Sequence, residues 1–132
     1  MCEAACTRLC IDFANLIDAR DYPRFAALFT QDAVWVRPEQ TLHGRENILA
    51  YLQTRPAHAV TRHICGNIRI TPVTDSGATG TSYVMYFHAA GGAENLPAVT
   101  PLPLIGVYHD VYARTPEGWR MRDRRIKVVF AP

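Results

Sequence analysis

No apolar run in this chain approaches the roughly 20 residues that a membrane-spanning helix requires. The opening decapeptide, MCEAACTRLC, carries Glu3 and Arg8 and lacks the continuous apolar core of a secretory signal. The expectation is a cytoplasmic protein with reduced thiols. A clustered basic face is missing too. Arg120, Arg122, Arg124, Arg125 and Lys127 lie close in sequence, but they alternate along one predicted strand with Asp123 among them, so they split between two faces. With a formal net charge of +2 the balance reads as simple solubility, and no nucleic-acid partner is expected. Cysteine is sparse. Cys2, Cys6 and Cys10 recur along one side of a helix, while Cys65 sits far off in a predicted strand. Their spacing fits no zinc-ribbon or ferredoxin pattern, so they read as small buried hydrophobes and no metal is expected. Internal repeats and low-complexity segments are also lacking.

What is present is the material of a globular fold. The 132 residues are 48% hydrophobic and 20% charged, which reads as one domain over 1–132 whose core needs no disulfide or metal. The stretch from Asp18 to Leu52 organises the rest. Helix one is expected over 3–20, with Cys6, Leu9, Phe13, Leu16 and Ile17 as its buried stripe. Asp18 follows Ile17 by about a quarter turn, at the border of that stripe. Asp21 caps a second helix with Pro23 in its first turn, burying Phe25, Leu28 and Phe29 and ending at Gln31-Asp32. A strand is expected over 33–37 around Trp35, stopped by Pro38. Helix three spans about 45–54, buries Ile48, Leu49 and Leu52, and is closed by Pro56.

From Ala59 onward the apolar period changes from 3.6 to 2. The second strand covers about 60–72, with Ile64, Ile68 and Ile70 on one face and His63, Cys65, Asn67 and Arg69 on the other. A TDSG turn leads to the third strand, about 78–89. There Gly80, Ser82, Val84, Tyr86 and His88 share a face, and both faces are apolar enough to imply a central strand covered twice. GGAENLPAVTPLP, 91–103, breaks the pattern as a long loop. The fourth strand runs over about 104–114, and a TPEG turn leads to the fifth, 119–130. Apolar residues on both faces of strands three and five point to a homodimer.

Four strings, DARDYPRFAALFTQDAVW, LHGRENILAYL, VTRH and TPEGWRMRDRRI, occur in an order that resembles the SnoaL-like branch of the NTF2-like superfamily. The resemblance covers nearly the whole chain. It implies an α+β cone: three N-terminal helices packed on a strongly curved antiparallel or mixed sheet that encloses a pocket. The nearest catalytic pattern is that of the scytalone dehydratases, which implies an Asp late in helix one, a His in the second strand and a His near the end of the third. Asp18, His63 and His88 stand in those places. The departures are Ile17 and Arg37, where that pattern has tyrosines that hold a water over the substrate carbonyl. Gly106 and Tyr108 stand where it has Ser and Asn. Arg37 also occupies the position of the ketosteroid isomerase base, which an arginine cannot replace.

Two imidazoles and a carboxylate inside an apolar cone can move protons near neutrality, since histidine has an unperturbed pKa of about 6.5. In this reading Asp18 orients His88, and His63 transfers the proton. Elimination of water, enolisation or ring closure of a small hydrophobic molecule, aromatic or polyketide-like, would follow. No organic cofactor is implied. The competing reading makes each histidine a hydrogen-bonded structural residue and Asp18 a helix-end cap. Trp35, Tyr86 and Tyr108 are expected as pocket walls; Asp110 shares a face with Tyr108, which leaves open whether it is a second pocket carboxylate. Arg37 either binds an anionic substrate group or pairs with a nearby acid. His43, His58 and His109 read as structural or exposed. The same cone also serves non-catalytic ligand holders and assembly modules such as dioxygenase small subunits, so the fold alone does not select between them.

Overall fold

The computed structural model of the chain describes residues 2–90 and 102–132. In chain order the elements are α1 (Cys2–Asp18), α2 (Tyr22–Ala26), β1 (Phe29–Val36), β2 (Thr41–His43), α3 (Arg45–Leu52), β3 (Ala59–Thr74), β4 (Gly77–Ala90), β5 (Leu104–Thr115) and β6 (Gly118–Phe130). The strands form one six-stranded sheet in the order β2-β1-β6-β5-β4-β3. All neighbours are antiparallel except β1 and β6, which run parallel. The three helices pack on this curved mixed sheet, the arrangement that the sequence implied. No helix among the described residues is long and apolar enough to cross a membrane. The expected loop over 91–103 falls outside the described residues apart from Leu102 and Pro103.

α1 buries Cys6, Leu9, Cys10, Phe13 and Ile17, one stripe at helical spacing. Phe13 is its centre, with the rings of Phe25, Trp35 and Tyr108 at 4.8, 5.6 and 5.6 Å between centroids. The helix ends on Arg20 with φ of 61°, and the Asp21 N–H donates back to the Leu16 carbonyl at 3.0 Å. A left-handed residue at a helix end is usually glycine. Here the Arg20 guanidinium offsets the strain by donating to the carbonyls of Arg55, Pro56 and Ala59, which ties the α3–β3 connection to the end of α1.

Four local expectations change. α2 stops at Ala26, not near Asp32, because the chain is already joining the sheet: the Met121 N–H donates to the Leu28 carbonyl at 2.8 Å, and Phe29 pairs with Met121. His43 belongs to a short edge strand, β2, not to a turn. In β3, the register shifts between Gly66 and Arg69, with Asn67 at φ 51°. This bulge adds a residue to one side of the pairing, so inward and outward positions exchange across it. Thr61, His63 and Cys65 point inward before it, and Ile68 and Ile70 after it. Ile64 therefore does not share their face and is 56% exposed. β4 is interior to the sheet as expected, but among the described residues nothing covers its outer face: Tyr83 and Met85 are exposed there.

The basic run in β6 does split. Arg122 and Arg125 are exposed, whereas Arg124 is fully buried. Its Nε and one Nη donate to the Asp110 carboxylate at 2.8 and 2.9 Å, and its guanidinium lies 3.8 Å from the Tyr108 ring centroid and 4.3 Å from that of Phe13. The Tyr112 hydroxyl also donates to Asp110 at 2.8 Å. Asp110 is thus committed to a core ion pair, which answers against a pocket role that the sequence left open. Replacing Asp110 by Ala strands a buried guanidinium, and urea denaturation should register a loss of about 3–5 kcal/mol. Adding Arg124→Met to that variant should recover a large part of the loss, because the orphaned charge goes with it.

Candidate active site

The site starts where α1 ends. Ile17 faces the core, and Asp18, one position further round, leaves its carboxylate at the inner edge of β3. Among the described residues β3 is the last strand of the sheet, so on its free side no neighbouring strand satisfies the backbone. Asp18 does so: Oδ2 accepts the His63 backbone N–H at 2.7 Å. Oδ1 accepts the Thr61 hydroxyl at 2.9 Å and lies 2.6 Å from Nδ1 of the His63 ring. Thr61 and His63 can share one carboxylate because they are two residues apart on a strand and face the same way. Arg55, beyond α3, completes the frame by donating to the Thr61 hydroxyl at 3.1 Å, the Ile17 carbonyl at 3.1 Å and the Tyr22 hydroxyl at 3.0 Å.

The electrostatics fix the histidine tautomer. Burial would raise the Asp18 carboxyl, but the hydrogen bonds from the His63 ring and backbone, the His63 charge and the Thr61 hydroxyl outweigh it and leave the group below its ordinary range. At neutral pH Asp18 is therefore ionised and can only accept, so Nδ1 carries the hydrogen. In a neutral His63 the lone pair is then on Nε2. The His63 and Asp18 side chains are 9% and 12% exposed, which shelters the pair while leaving a path to it.

His63 lines a cavity of about 340 Å³ with Trp35, Arg37, Tyr51, Arg55, Tyr86, His88 and Tyr108. The size falls within the range of small-molecule pockets. The Tyr86 ring stands between the two histidines, 4.7 Å from His63 and 5.4 Å from His88, and stacks on the latter. Burial raises the Tyr86 hydroxyl pKa, against the opposing charges of Arg55 and Arg37. Two roomier depressions, about 430 Å³ beside α1 and Trp119 and about 720 Å³ on the outer sheet face, are more open and contain neither Asp18, His63 nor His88.

Asp18 and His63 are brought together as the sequence implied, but the pairing differs in one respect: Asp18 orients His63, not His88. His88 reaches the cavity wall beyond Tyr86 and is largely exposed. Trp35, Arg37, Tyr86 and Tyr108 all line the cavity. Thr61, Arg55 and Tyr51 escape sequence reasoning. The period-2 relation of Thr61 to His63 was the available signal for the first; nothing local marks the other two. His58 and His109 are exposed. Cys6 and Cys10 are buried in the core, and among the described residues no three His, Cys, Asp or Glu side chains gather as a metal-ligand set.

Three helices on a curved, mixed six-stranded sheet with an interior cavity define an NTF2-like protein. The chain matches the SnoaL-like domain over residues 2–125, and it belongs to that family. Among solved structures, a candidate scytalone dehydratase from Novosphingobium aromaticivorans is 24% identical, covering 96% of this chain and 83% of its own, with a TM-score of 0.79. A hexachlorocyclohexane dehydrochlorinase, LinA type 2, is 21% identical over 96% and 84%, with a TM-score of 0.81. An NTF2-like protein with a cystatin-like fold, also from N. aromaticivorans, is 20% identical over 95% and 80%, with a TM-score of 0.78. At these identities the likeness is one of fold. No curated protein matches the chain.

The depressed Asp18 carboxyl has a consequence for stability. A group whose folded pKa lies below its unfolded value of 3.8 stabilises the fold above that value and ceases to do so as pH falls through the folded one. Thermal melts of wild type and Asp18→Asn should therefore differ most at about pH 5–7 and draw together only as pH falls from 3.8 through the lower folded value. A gap that stays constant through acid would show that Asp18 is not the ionised acceptor.

Proposed function

We propose that the cavity carries out cofactor-independent acid/base chemistry, with His63 as the proton-transfer group and Asp18 as its orienting partner. The observation that carries this reading is the 2.6 Å contact between Asp18 Oδ1 and His63 Nδ1, made on the wall of a ligand-sized cavity. Nε2 of His63 takes a proton from carbon beside a carbonyl of the bound molecule. Asp18 stabilises the imidazolium that results. The proton then returns to a departing hydroxyl or to a neighbouring carbon, which gives dehydration, isomerisation or, when the enolate attacks within the same molecule, ring closure. Trp35, Tyr86 and Tyr108 supply flat apolar walls for an aromatic or polyketide-like substrate. His88 and the Tyr86 hydroxyl lie within the same cavity as candidate proton donors. The dehydratase and dehydrochlorinase names among proteins of this fold agree with elimination chemistry.

A non-catalytic ligand holder is the second reading. What favours it is the sequence at two positions: Ile17 and Arg37 occupy places where the scytalone dehydratase pattern has its water-holding tyrosines.

Solvent-deuterium exchange at the carbon beside the carbonyl of 2-tetralone, followed by NMR, separates the two. Wild type should catalyse exchange, and His63→Ala and Asp18→Asn should each lower the rate by about 10²–10⁴. Unchanged exchange in His63→Ala would remove its role, and tight binding without exchange would favour the holder. We also place a second copy of the chain over the exposed outer-face residues Ile64, Tyr83 and Met85. Sedimentation should give a dimer that Tyr83→Glu with Met85→Glu converts to monomer.

A further inference from the structure

Two arginines line the cavity, and they are engaged differently. Arg55 is committed, with donors on the Ile17 carbonyl, the Tyr22 hydroxyl and the Thr61 hydroxyl. Arg37 is not. Its guanidinium lies 4.3 Å from the Tyr51 ring centroid and 5.4 Å from that of Trp35, while its backbone N–H closes the β1–β2 turn on the Gln40 carbonyl at 2.8 Å. Among the described residues its side chain makes no hydrogen bond and no ion pair. Stacking on two rings orients the planar group without filling its five donors. Glu39 lines the same cavity from across the turn, yet the two side chains do not pair.

The charge of Arg37 acts on the cavity interior. It opposes the rise that burial imposes on the Tyr86 hydroxyl and on the Tyr108 hydroxyl, both on the cavity wall. Asp18, the buried carboxylate that pairs with the cavity-lining His63, is already taken up by His63 and Thr61. Among the described residues, the cavity is thus left with an unpaired positive charge on a half-buried, pre-oriented fork. A fork of parallel N–H donors complements the two oxygens of a carboxylate.

Resting on the acid/base reading above, we propose that Arg37 anchors a carboxylate on the substrate, so that the pocket takes planar aromatic or enolisable carboxylic acids. The anchored acid lies along Trp35 and Tyr86, which brings its far side toward Nε2 of His63. Arg37 then sets which molecules bind and how they are oriented, while His63 and Asp18 set whether they react.

The test is a binding titration by calorimetry with 2-naphthoate and its neutral isostere 2-naphthamide, on wild type, Arg37→Gln, Arg37→Lys and His63→Ala. Wild type should bind the carboxylate about tenfold more tightly than the amide, the increment of a charge-assisted hydrogen bond. Arg37→Gln should erase that preference while changing amide affinity by no more than about twofold, and Arg37→Lys should keep part of it. His63→Ala should retain the preference in full. Equal affinity of wild type for both probes, a preference that survives Arg37→Gln, or no saturable binding of naphthoate would each overturn the proposal. Because the readout is affinity, it is independent of turnover. Loss of deuterium exchange with an intact naphthoate preference would sink the proton-transfer role of His63 and leave the anchor standing.

Discussion

One carboxylate joins the helical layer to the edge of the sheet. Asp18 sits at the last turn of α1 and accepts from three donors of β3: the Thr61 hydroxyl, the His63 backbone N–H and the His63 ring. An edge strand has backbone donors with no neighbouring strand to take them, and a buried unpaired N–H costs about 1–3 kcal/mol. Using an ionised side chain from the helix to fill that position stabilises the junction and fixes an imidazole tautomer in the same act. The fold and the candidate chemistry therefore share a single set of hydrogen bonds. Arg55 reinforces the set from a third element, and Arg20 ties the same connection to the helix end from below.

The second buried polar group works differently. Asp110 and Arg124 face each other across β5 and β6 with two short hydrogen bonds, Tyr112 adding a third to the carboxylate. Arg124 lies against Phe13 and Tyr108, so the apolar stripe of α1 packs on a charged partner that Asp110 neutralises through Nε and one Nη, while its other Nη has no hydrogen-bond partner among the described residues. Such a pair adds little net stability over a well-packed apolar core, yet it is intolerant of losing one member. Its outer side is Tyr108, whose other surface is cavity wall. The cavity is bounded by a rigid core on that side and by the Asp18 frame on the other.

The cavity itself combines aromatic and aliphatic walls with charge at Arg37, Glu39 and Arg55. Trp35, Tyr51, Tyr86 and Tyr108 give it flat walls, and Arg37 stacks on two of them. Orientation of a ligand in such a space comes from ring stacking and one or two polar anchors rather than from many hydrogen bonds. This division suits a reaction in which a single base must meet a single carbon.

The sequence by itself determined the three helices, the long strands and their order, though neither the short edge strand β2 nor the end of α2, because helical and strand periodicities are local: α1's stripe, the caps at Asp21 and Gly44, and the long alternating segments after Ala59 are written in neighbouring residues. Through the spacing of a resembled pattern it also singled out Asp18, His63 and His88, though it paired Asp18 with His88. What it did not determine lay wherever the outcome depends on residues far apart in the chain. A one-residue bulge at Asn67 moved Ile64 to the outer face, since alternation carries no memory across a register shift. Arg124 and Asp110, each an ordinary charged residue in its own strand, became a core pair only when β5 met β6. The choice of His63 over His88 as the partner of Asp18 was settled by where the end of α1 crosses the sheet edge. Hydrogen bonds act over about 3 Å, and only the packed chain brings such groups that close.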